Sequence, residues 1–451
     1  MNILGIDLGT TTIEGVILDT RRGIIAKQSR SNDAILPSGG DEDLQDPERI
    51  FRQTLSIVDA LWEYRPESIA LAGQMHGIVY VDSTGRGVSP LYTWRDRRAR
   101  RDAGRGESFA ERLGRLSGRA VPPGYGLATH YALTCSGEVP TEAAAFATIA
   151  DYVAARMCGL TRPVTEPSSA ASLGLFDPDH SAFDREALAR GGIDPRFLPE
   201  VVPFGCMGRY RGVKVFTPVG DNQASVYGTL RRCAAGLSEA AHLMVGTSSQ
   251  LSVFSQQRVE IDGLEIRPFP RGGFLIVGAA LLGGGAWALL ARFVEEILRD
   301  FGAALPGREE LYARLTASAS RWADTGGDGP RVETTFAGTR LDPTRTGAIE
   351  RITDENFHLG PLAQGFLRGI AEELYGFYTL LPEELRINRR VLAGGGNALV
   401  RIEPLRKTIT ERFGIPLVVP DCLPFAALGA ALFAADDLGI EFSAFHSGCE
   451  K

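Results

Sequence analysis

The chain has 451 residues, 44% hydrophobic and 23% charged, a globular composition that excludes disorder, collagen-like repeats and coiled coil. Lysine and arginine number 48 against 55 aspartate and glutamate, and the resulting formal charge of −7 argues against a dedicated nucleic-acid binder. At ~150 residues per domain the length predicts two or three domains, and 53 glycines predict tight turns or close approaches of backbone to a ligand.

In chain order, Ile3 to Gly9, Thr10-Thr11-Thr12 and Ile13 to Asp19 are two β-branched runs about a Gly-Thr turn, which predicts a hairpin. No basic region precedes an apolar stretch at Met1 to Asp7, so no secretory leader is expected. Asp46-Pro47-Glu48 is a helix start, an N-cap followed by a first-turn proline. Ser68 to Ala72 reads as a strand running into Gly73-Gln-Met-His-Gly77, and Val213 to Val219 as a strand ending at Gly220-Asp-Asn-Gln223. His242 to Val245, Gly246-Thr-Ser-Ser249 and Leu251 to Phe254 repeat the first hairpin's grammar, which predicts two homologous domains. The boundary is expected near Arg231 to Gly236, giving domains 1–232 and 233–451. Phe274 to Ala291 carries no charge and just reaches membrane-spanning length. Gly283-Gly284-Gly285 interrupts it, so strand, glycine turn and helix is the preferred reading. Asp324 to Pro330 reads as a surface loop, Gln364 to Leu381 as a helix, Val391 to Ala393 as a strand ending in Gly394-Gly-Gly-Asn397, and Ala426 to Leu438 as a closing helix. The whole is alternating α/β. The six cysteines, Cys135, Cys158, Cys206, Cys233, Cys422 and Cys449, show no CxxC spacing and read as reduced, cytosolic thiols.

Several of these positions carry chemistry. Asp7 lies in an apolar strand, where a carboxylate is costly to bury without a cation or donors. With Thr10 to Thr12 following, it reads either as a Mg²⁺ holder beside a phosphate turn or as an aspartate capping its own turn. The copy at Gly246-Thr247-Ser248 favours paired phosphate hairpins. Asp221, at a strand end, reads as a base for a substrate hydroxyl or as the N-cap of the next helix, with the two readings level. Gln74 and His76 offer polar groups suited to sugar hydroxyls, while a lone histidine is more often structural. Trp94 with Asp96 is a common way to hold a polyol. The run Arg95, Arg97, Arg98, Arg100, Arg101 and Arg105, interspersed with Asp96 and Asp102, is read as a solvated face rather than a nucleic-acid patch.

The combination Gly5-Ile-Asp-Leu-Gly-Thr-Thr11, Gly73-Gln-Met-His-Gly77, Thr93-Trp-Arg-Asp96, Gly220-Asp221, Gly246-Thr247-Ser248, Gly394-Gly-Gly396 and Ala426-Ala-Leu-Gly-Ala-Ala431 resembles the FGGY carbohydrate kinases, in order over essentially the whole chain. Gly124-Tyr-Gly-Leu-Ala-Thr129, Ala170-Ala-Ser172 and Asp221-Asn-Gln-Ala-Ser-Val-Tyr227 are similar to the sedoheptulokinase branch. The resemblance implies two RNase H-like (actin-type ATPase) domains with an interdomain cleft, using ATP and Mg²⁺. It implies Asp221 as base and Asp7 as metal holder. Gln74, His76, Trp94, Asp96 and Asn222 would meet the sugar. Thr10, Thr11, Thr12, Gly246, Thr247 and Ser248 would meet phosphates, with Gly284, Gly395, Gly396 and Asn397 along the adenosine.

Three positions depart from the family's pattern. Glu14 replaces a common lysine or arginine after the phosphate turn, Arg401-Ile402 replaces an asparagine, and Arg97-Arg98 is closer to glycerol kinases. The expected activity is phosphorylation of a ketose such as sedoheptulose to the 7-phosphate in the cytoplasm. Xylulokinase or another pentulose or polyol kinase is the alternative. A non-kinase actin- or Hsp70-like ATPase, a sugar-sensing binding protein and a catalytically weakened relative are the competing classes. Sugar and ATP are the expected partners, without nucleic acid or membrane, and a homodimer stays open.

Overall fold

The computed structural model describes residues 1–440 apart from Asp328, Leu341, Pro343, Cys422 and Leu423. Its compact units are discontinuous in sequence. The first holds Met1–Gly228, Arg267–Gly273 and the closing helix Phe425–Asp437; the second holds Thr229–Ile266 and Phe274–Cys422.

In the first unit, β1 (Asn2–Leu8), β2 (Thr12–Asp19) and β3 (Gly23–Ser31) form an antiparallel meander. On the other side of β1, β4 (Ser68–Gly73) runs parallel to it. Next come β5 (Cys206–Tyr210) and β6 (Val213–Phe216), with β6 parallel to β4, while β7 (Val219–Gly220) pairs parallel with the far end of β4. The single strand expected over Val213 to Val219 is thus two. Pro218, which has no N–H to donate, marks the break, and Thr217 turns its own N–H to Gly205 O at 2.9 Å.

Helix α1 (Pro47–Leu61) starts as its sequence predicts. The Asp46 carboxylate accepts the Glu48 and Arg49 N–H groups, Pro47 occupies the first turn, and Ile50, Thr54, Ile57, Val58 and Leu61 are buried on one face. These pack with Leu4, Ile6, Ile13, Ile17, Ile69 and Leu71 of the sheet and with Val153 and Met157 of α2 (Ile149–Cys158). In this unit α3 (Pro167–Leu173) and the part of α4 (Asp221–Arg232) up to Gly228 reach the site described below. The closing helix is buried from Ala426 to Ala435. Its small residues allow backbone contact: a Cβ at Gly429 would lie 1.9 Å from Ala224 O of α4, and one at Gly5 of β1 2.0 Å from Ala427 O.

In the second unit, β8 (Ala240–Val245), β9 (Ser249–Ser255) and β11 (Phe274–Ala280) form the antiparallel meander, and Glu265 and Ile266 open β10 (Glu265–Pro268), whose last two residues belong to the first unit. Parallel β12 (Val391–Gly395) and β13 (Leu417–Val418) follow on the far side of β8. The order β11-β9-β8-β12-β13 repeats β3-β2-β1-β4-β6, sense for sense. This repeated three-antiparallel, two-parallel sheet is the RNase H-like, actin-type pattern, present twice.

Phe274 to Ala291 is strand β11, a turn at Gly283 and the start of α5 (Gly284–Asp300), and no helix among the described residues is long and apolar enough to cross a membrane. Helix α6 (Leu359–Leu380) begins before the expected Gln364, because Pro361 falls in its first turn, where its missing N–H has no intrahelical partner to lose. Cys135, Cys158, Cys206 and Cys233 are free thiols, whereas Cys422 and Cys449, like Asp328 of the Asp324 to Pro330 loop, lie outside the described residues.

Candidate active site

Parallel pairing brings the site of the first unit together. Leu8 stands opposite Gly73, and Gly73 opposite Gly220, so β1, β4 and β7 end level. Their C-terminal ends, where ligands of open α/β sheets bind, present Asp7, Gln74 and Asp221 at one edge.

Asp7 pairs across the hairpin with Glu14, and its Oδ1 is buried without a hydrogen-bond partner. An aspartate capping its own turn would engage that oxygen with a turn N–H. Burial holds the Asp7 carboxyl well above the usual carboxylate range, and the nearby Asp221 and Glu14 raise it further. Burial also raises Glu14, against the lowering effects of a Ser29 hydrogen bond and the Lys27 charge. The hairpin therefore lacks the cation that a basic residue at position 14 would supply.

Asp221 opens α4. Its Oδ1 accepts the N–H of Asn222, the very next residue, at 2.8 Å, whereas an N-cap serves the second or third N–H of its helix. Burial pushes its carboxyl up to about 6, against the Asn222 N–H and the Arg267 guanidinium, which both favour the charged form. Arg267 went unnoticed in the sequence. It is buried, and its Nη1 donates to Asn222 Oδ1 at 2.9 Å, while Gln223 Nε2 donates to Pro268 O at 3.1 Å. The segment after Ile266 is thus fastened to the first turn of α4, and Asn222 is oriented with its amide nitrogen away from the arginine.

The Thr10 turn is fastened from three sides. Gln45 Nε2 donates to Thr10 O at 2.9 Å, Asn32 Nδ2 to Gly9 O at 2.9 Å, and Trp94 Nε1 to Thr10 Oγ1 at 3.0 Å. Thr10 Oγ1 in turn reaches Gln74 Oε1 at 3.3 Å, leaving Thr11 and Thr12 exposed. Trp94 keeps 43% of its surface exposed, an open aromatic face of the kind that packs on a sugar ring.

Asp96, expected beside it as a sugar contact, is fully buried. Arg98 clasps it through Nε at 2.8 Å and Nη2 at 3.0 Å, and its Oδ2 accepts the Asp43 N–H at 3.3 Å, so its carboxylate braces the Trp94 loop. For the same reason Arg98 is not on a solvated face, although Arg95, Arg97, Arg100 and Arg105 are. His76 has a left-handed backbone (φ +75°), stacks on Tyr125 at 4.3 Å and bonds to Ser172 through both its N–H and its Nδ1.

In the second unit the glycine motifs converge. A Cβ at Gly284 would lie 2.6 Å from Gly246 O and 3.2 Å from Ala398 Cβ, while Gly396 (φ +94°) closes on Val245 O. The N–H groups of Gly283, Gly284 and Gly285 are spent on Thr247 and Gly246 carbonyls at 2.8–2.9 Å, so this start of α5 buttresses the turn. Thr247 and Ser248 stand exposed at its tip, and Asn397 is exposed at the start of α7 (Asn397–Arg401). His242 lies beneath Gly395, with both ring nitrogens buried and unpartnered and its pKa pushed down to about 4 by burial.

Residues 2–207 match the model of the FGGY family of carbohydrate kinases, N-terminal domain. The chain is 28% identical to the sedoheptulokinase of Mus musculus, over 95% of this chain and 96% of that one. It is 26% identical to the xylulose kinase of Streptomyces coelicolor, over 96% and 87% respectively. Its fold superposes on the crystal structure of xylulose kinase from Rhodospirillum rubrum with a TM-score of 0.82 at 19% identity, over 99% of this chain and 91% of that one. The ordered motifs, the twice-repeated sheet and these likenesses agree: over residues 2–207 the chain matches the N-terminal domain of the FGGY family of carbohydrate kinases, and over nearly its whole length it is similar to sugar kinases.

Proposed function

We propose that the chain transfers the γ-phosphoryl group of ATP to a hydroxyl of a ketose, with sedoheptulose and its 7-phosphate as substrate and product, and with Asp221 as the base. The observation that carries the reading is Asp221 itself, at the end of β7 beside Asp7, with its ionisation held at about 6 by burial against Arg267. Such a carboxylate is charged at neutral pH and basic enough to take a hydroxyl proton as bonding to phosphorus develops. Gln74, His76, Trp94 and Asn222 bind and orient the sugar, and Asp96 acts by bracing Trp94. Thr10, Thr11, Thr12, Gly246, Thr247 and Ser248 take the phosphates, and Gly284, Gly395, Gly396 and Asn397 form the purine side.

The residues present fit a magnesium ion. The unpartnered, buried Asp7 Oδ1, repelled by Asp221 and Glu14, is an oxygen that a divalent cation satisfies. Among the described residues no three or more His, Cys, Asp or Glu side chains are grouped to hold a metal, which suits an ion held by one or two carboxylates with phosphate and water. When bound, it supplies charge neutralisation to the phosphates. The reading includes a reducing, cytoplasmic setting, which the free thiols support.

Identity over nearly the whole of both chains favours sedoheptulose, and the 26% likeness to a xylulose kinase makes D-xylulose the second candidate. ADP release is to be measured with sedoheptulose, D-xylulose, D-ribulose, gluconate and glycerol. Release stimulated most strongly by sedoheptulose is the expected result. Preference for another acceptor reassigns the sugar, and release without dependence on any acceptor overturns the kinase reading.

A further inference from the structure

We infer that α3 is the positioning element of the sugar side, one short helix that fixes both the candidate base and His76. This rests on the function proposed above. The helix is anchored by Glu166, buried to 2% exposure, whose Oε2 accepts the Ser168 N–H at 2.7 Å and also the Ser168 hydroxyl, with Pro167 at the first helical position. Because the hydroxyl donates to Glu166, its lone pairs face outward, and one accepts the N–H of Gly220 at 3.1 Å. Gly220 is the residue before Asp221, so Ser168 holds the backbone from which the base projects.

One turn later, Ser172 does the same for His76. Its hydroxyl donates to Ser169 O at 2.7 Å and accepts the His76 N–H at 3.1 Å. Its carbonyl accepts from His76 Nδ1 at 2.8 Å, so that nitrogen carries a proton and the bond sets the orientation of the ring. Positions four apart share a helix face, and Ser168 and Ser172 are both buried, at 0% and 3% exposure. The left-handed backbone at His76 persists where surrounding bonds over-determine it, and these two bonds do so. Ser168 and Ser172 need not touch substrate; they act through Asp221 and His76. A misplacement of about 1 Å costs on the order of 10²-fold in rate.

The test is steady-state kinetics of the full chain with ATP and sedoheptulose, repeated with D-xylulose, for wild type, Ser168→Ala, Ser168→Thr, Ser172→Ala and Asp221→Asn. Ser168→Ala is expected to lower kcat about tenfold or more, with KM for ATP within about twofold of wild type, and Ser168→Thr, which keeps the hydroxyl, to recover most of the loss. Ser172→Ala is expected to raise KM for the sugar more than it lowers kcat, an independent readout should Ser168→Ala not fold. Wild-type kcat in Ser168→Ala, equal losses in Ser168→Ala and Ser168→Thr, or an unchanged sugar KM in Ser172→Ala overturns the inference. Undiminished turnover in Asp221→Asn overturns the base assignment instead, so the two failures are distinguishable.

Discussion

Replacing Arg267 by methionine removes a positive charge that holds the Asp221 proton affinity down against burial. With the carboxyl titrating at about 6, about a tenth of the protein carries the ionised base at pH 5 and about nine-tenths at pH 7. The acid limb of kcat/KM for the sugar, which reports the free enzyme, therefore falls about tenfold per pH unit below 6. The sign follows from the charge: without Arg267 the ionised form loses its partner, the pKa rises, and the acid limb moves to higher pH. Arg267→Lys keeps the charge, and its limb stays near that of wild type. The assay is ADP production from pH 5 to 8 for the three proteins, with thermal melting to show that each is folded. The ionisation of ATP is common to all three and cancels in the comparison. A methionine variant whose acid limb stays in place, or moves to lower pH, refutes the electrostatic role of Arg267 and the assignment of the limb to Asp221.

Glu14→Lys places a cation opposite Asp7 in the hairpin register and is expected to lower KM for ATP at least threefold, on the order of the ~1 kcal/mol of a solvent-screened charge pair; an unchanged or higher KM contradicts it. Asp151 is fully buried, with its pKa raised to about 7 by burial, so the native state binds its proton more tightly than the unfolded chain. Its contribution falls as pH rises from about 4 to about 7 and is flat above. Asp151→Asn is therefore expected to raise the melting temperature relative to wild type at pH 8 and to change it little at pH 4; equal shifts at both pH values sink this reasoning. Gly429→Ala forces a methyl group to within 1.9 Å of Ala224 O. The overpacking is expected to cost at least about 1–3 kcal/mol and to lower kcat through α4, as read by denaturant unfolding and turnover. Wild-type stability would show that the two helices do not approach so closely.

The parts of the fold carried by local grammar were legible. Both Gly-Thr hairpins, the Asp46-Pro47 helix start and the strand-glycine-helix of Phe274 to Ala291 each obey a rule that acts within a few residues. Long-range partners were not. Arg267 lies 45 residues from Asn222 in the sequence, and only folding brings the two together. Ala426 to Leu438 was readable as a helix, but its alanine and glycine content does not say which sheet it covers, and it packs on β1 and α4. Asp96 looked like a ligand contact because Trp94 stands next to it; a tight turn folds Arg98 back onto it instead. Ser168 gave no signal in the sequence and Ser172 stood out only within the Ala170-Ala-Ser172 likeness, because their use depends on which backbone N–H groups arrive beside them.

The account depends most on the proton acceptor at the start of α4. Sugar-dependent ADP production by Asp221→Asn, with ATP affinity and melting temperature measured on the same preparation, tests it most directly. At least ~10²-fold loss of kcat with nucleotide affinity and stability retained is the predicted result. Turnover within a few-fold of wild type would contradict it.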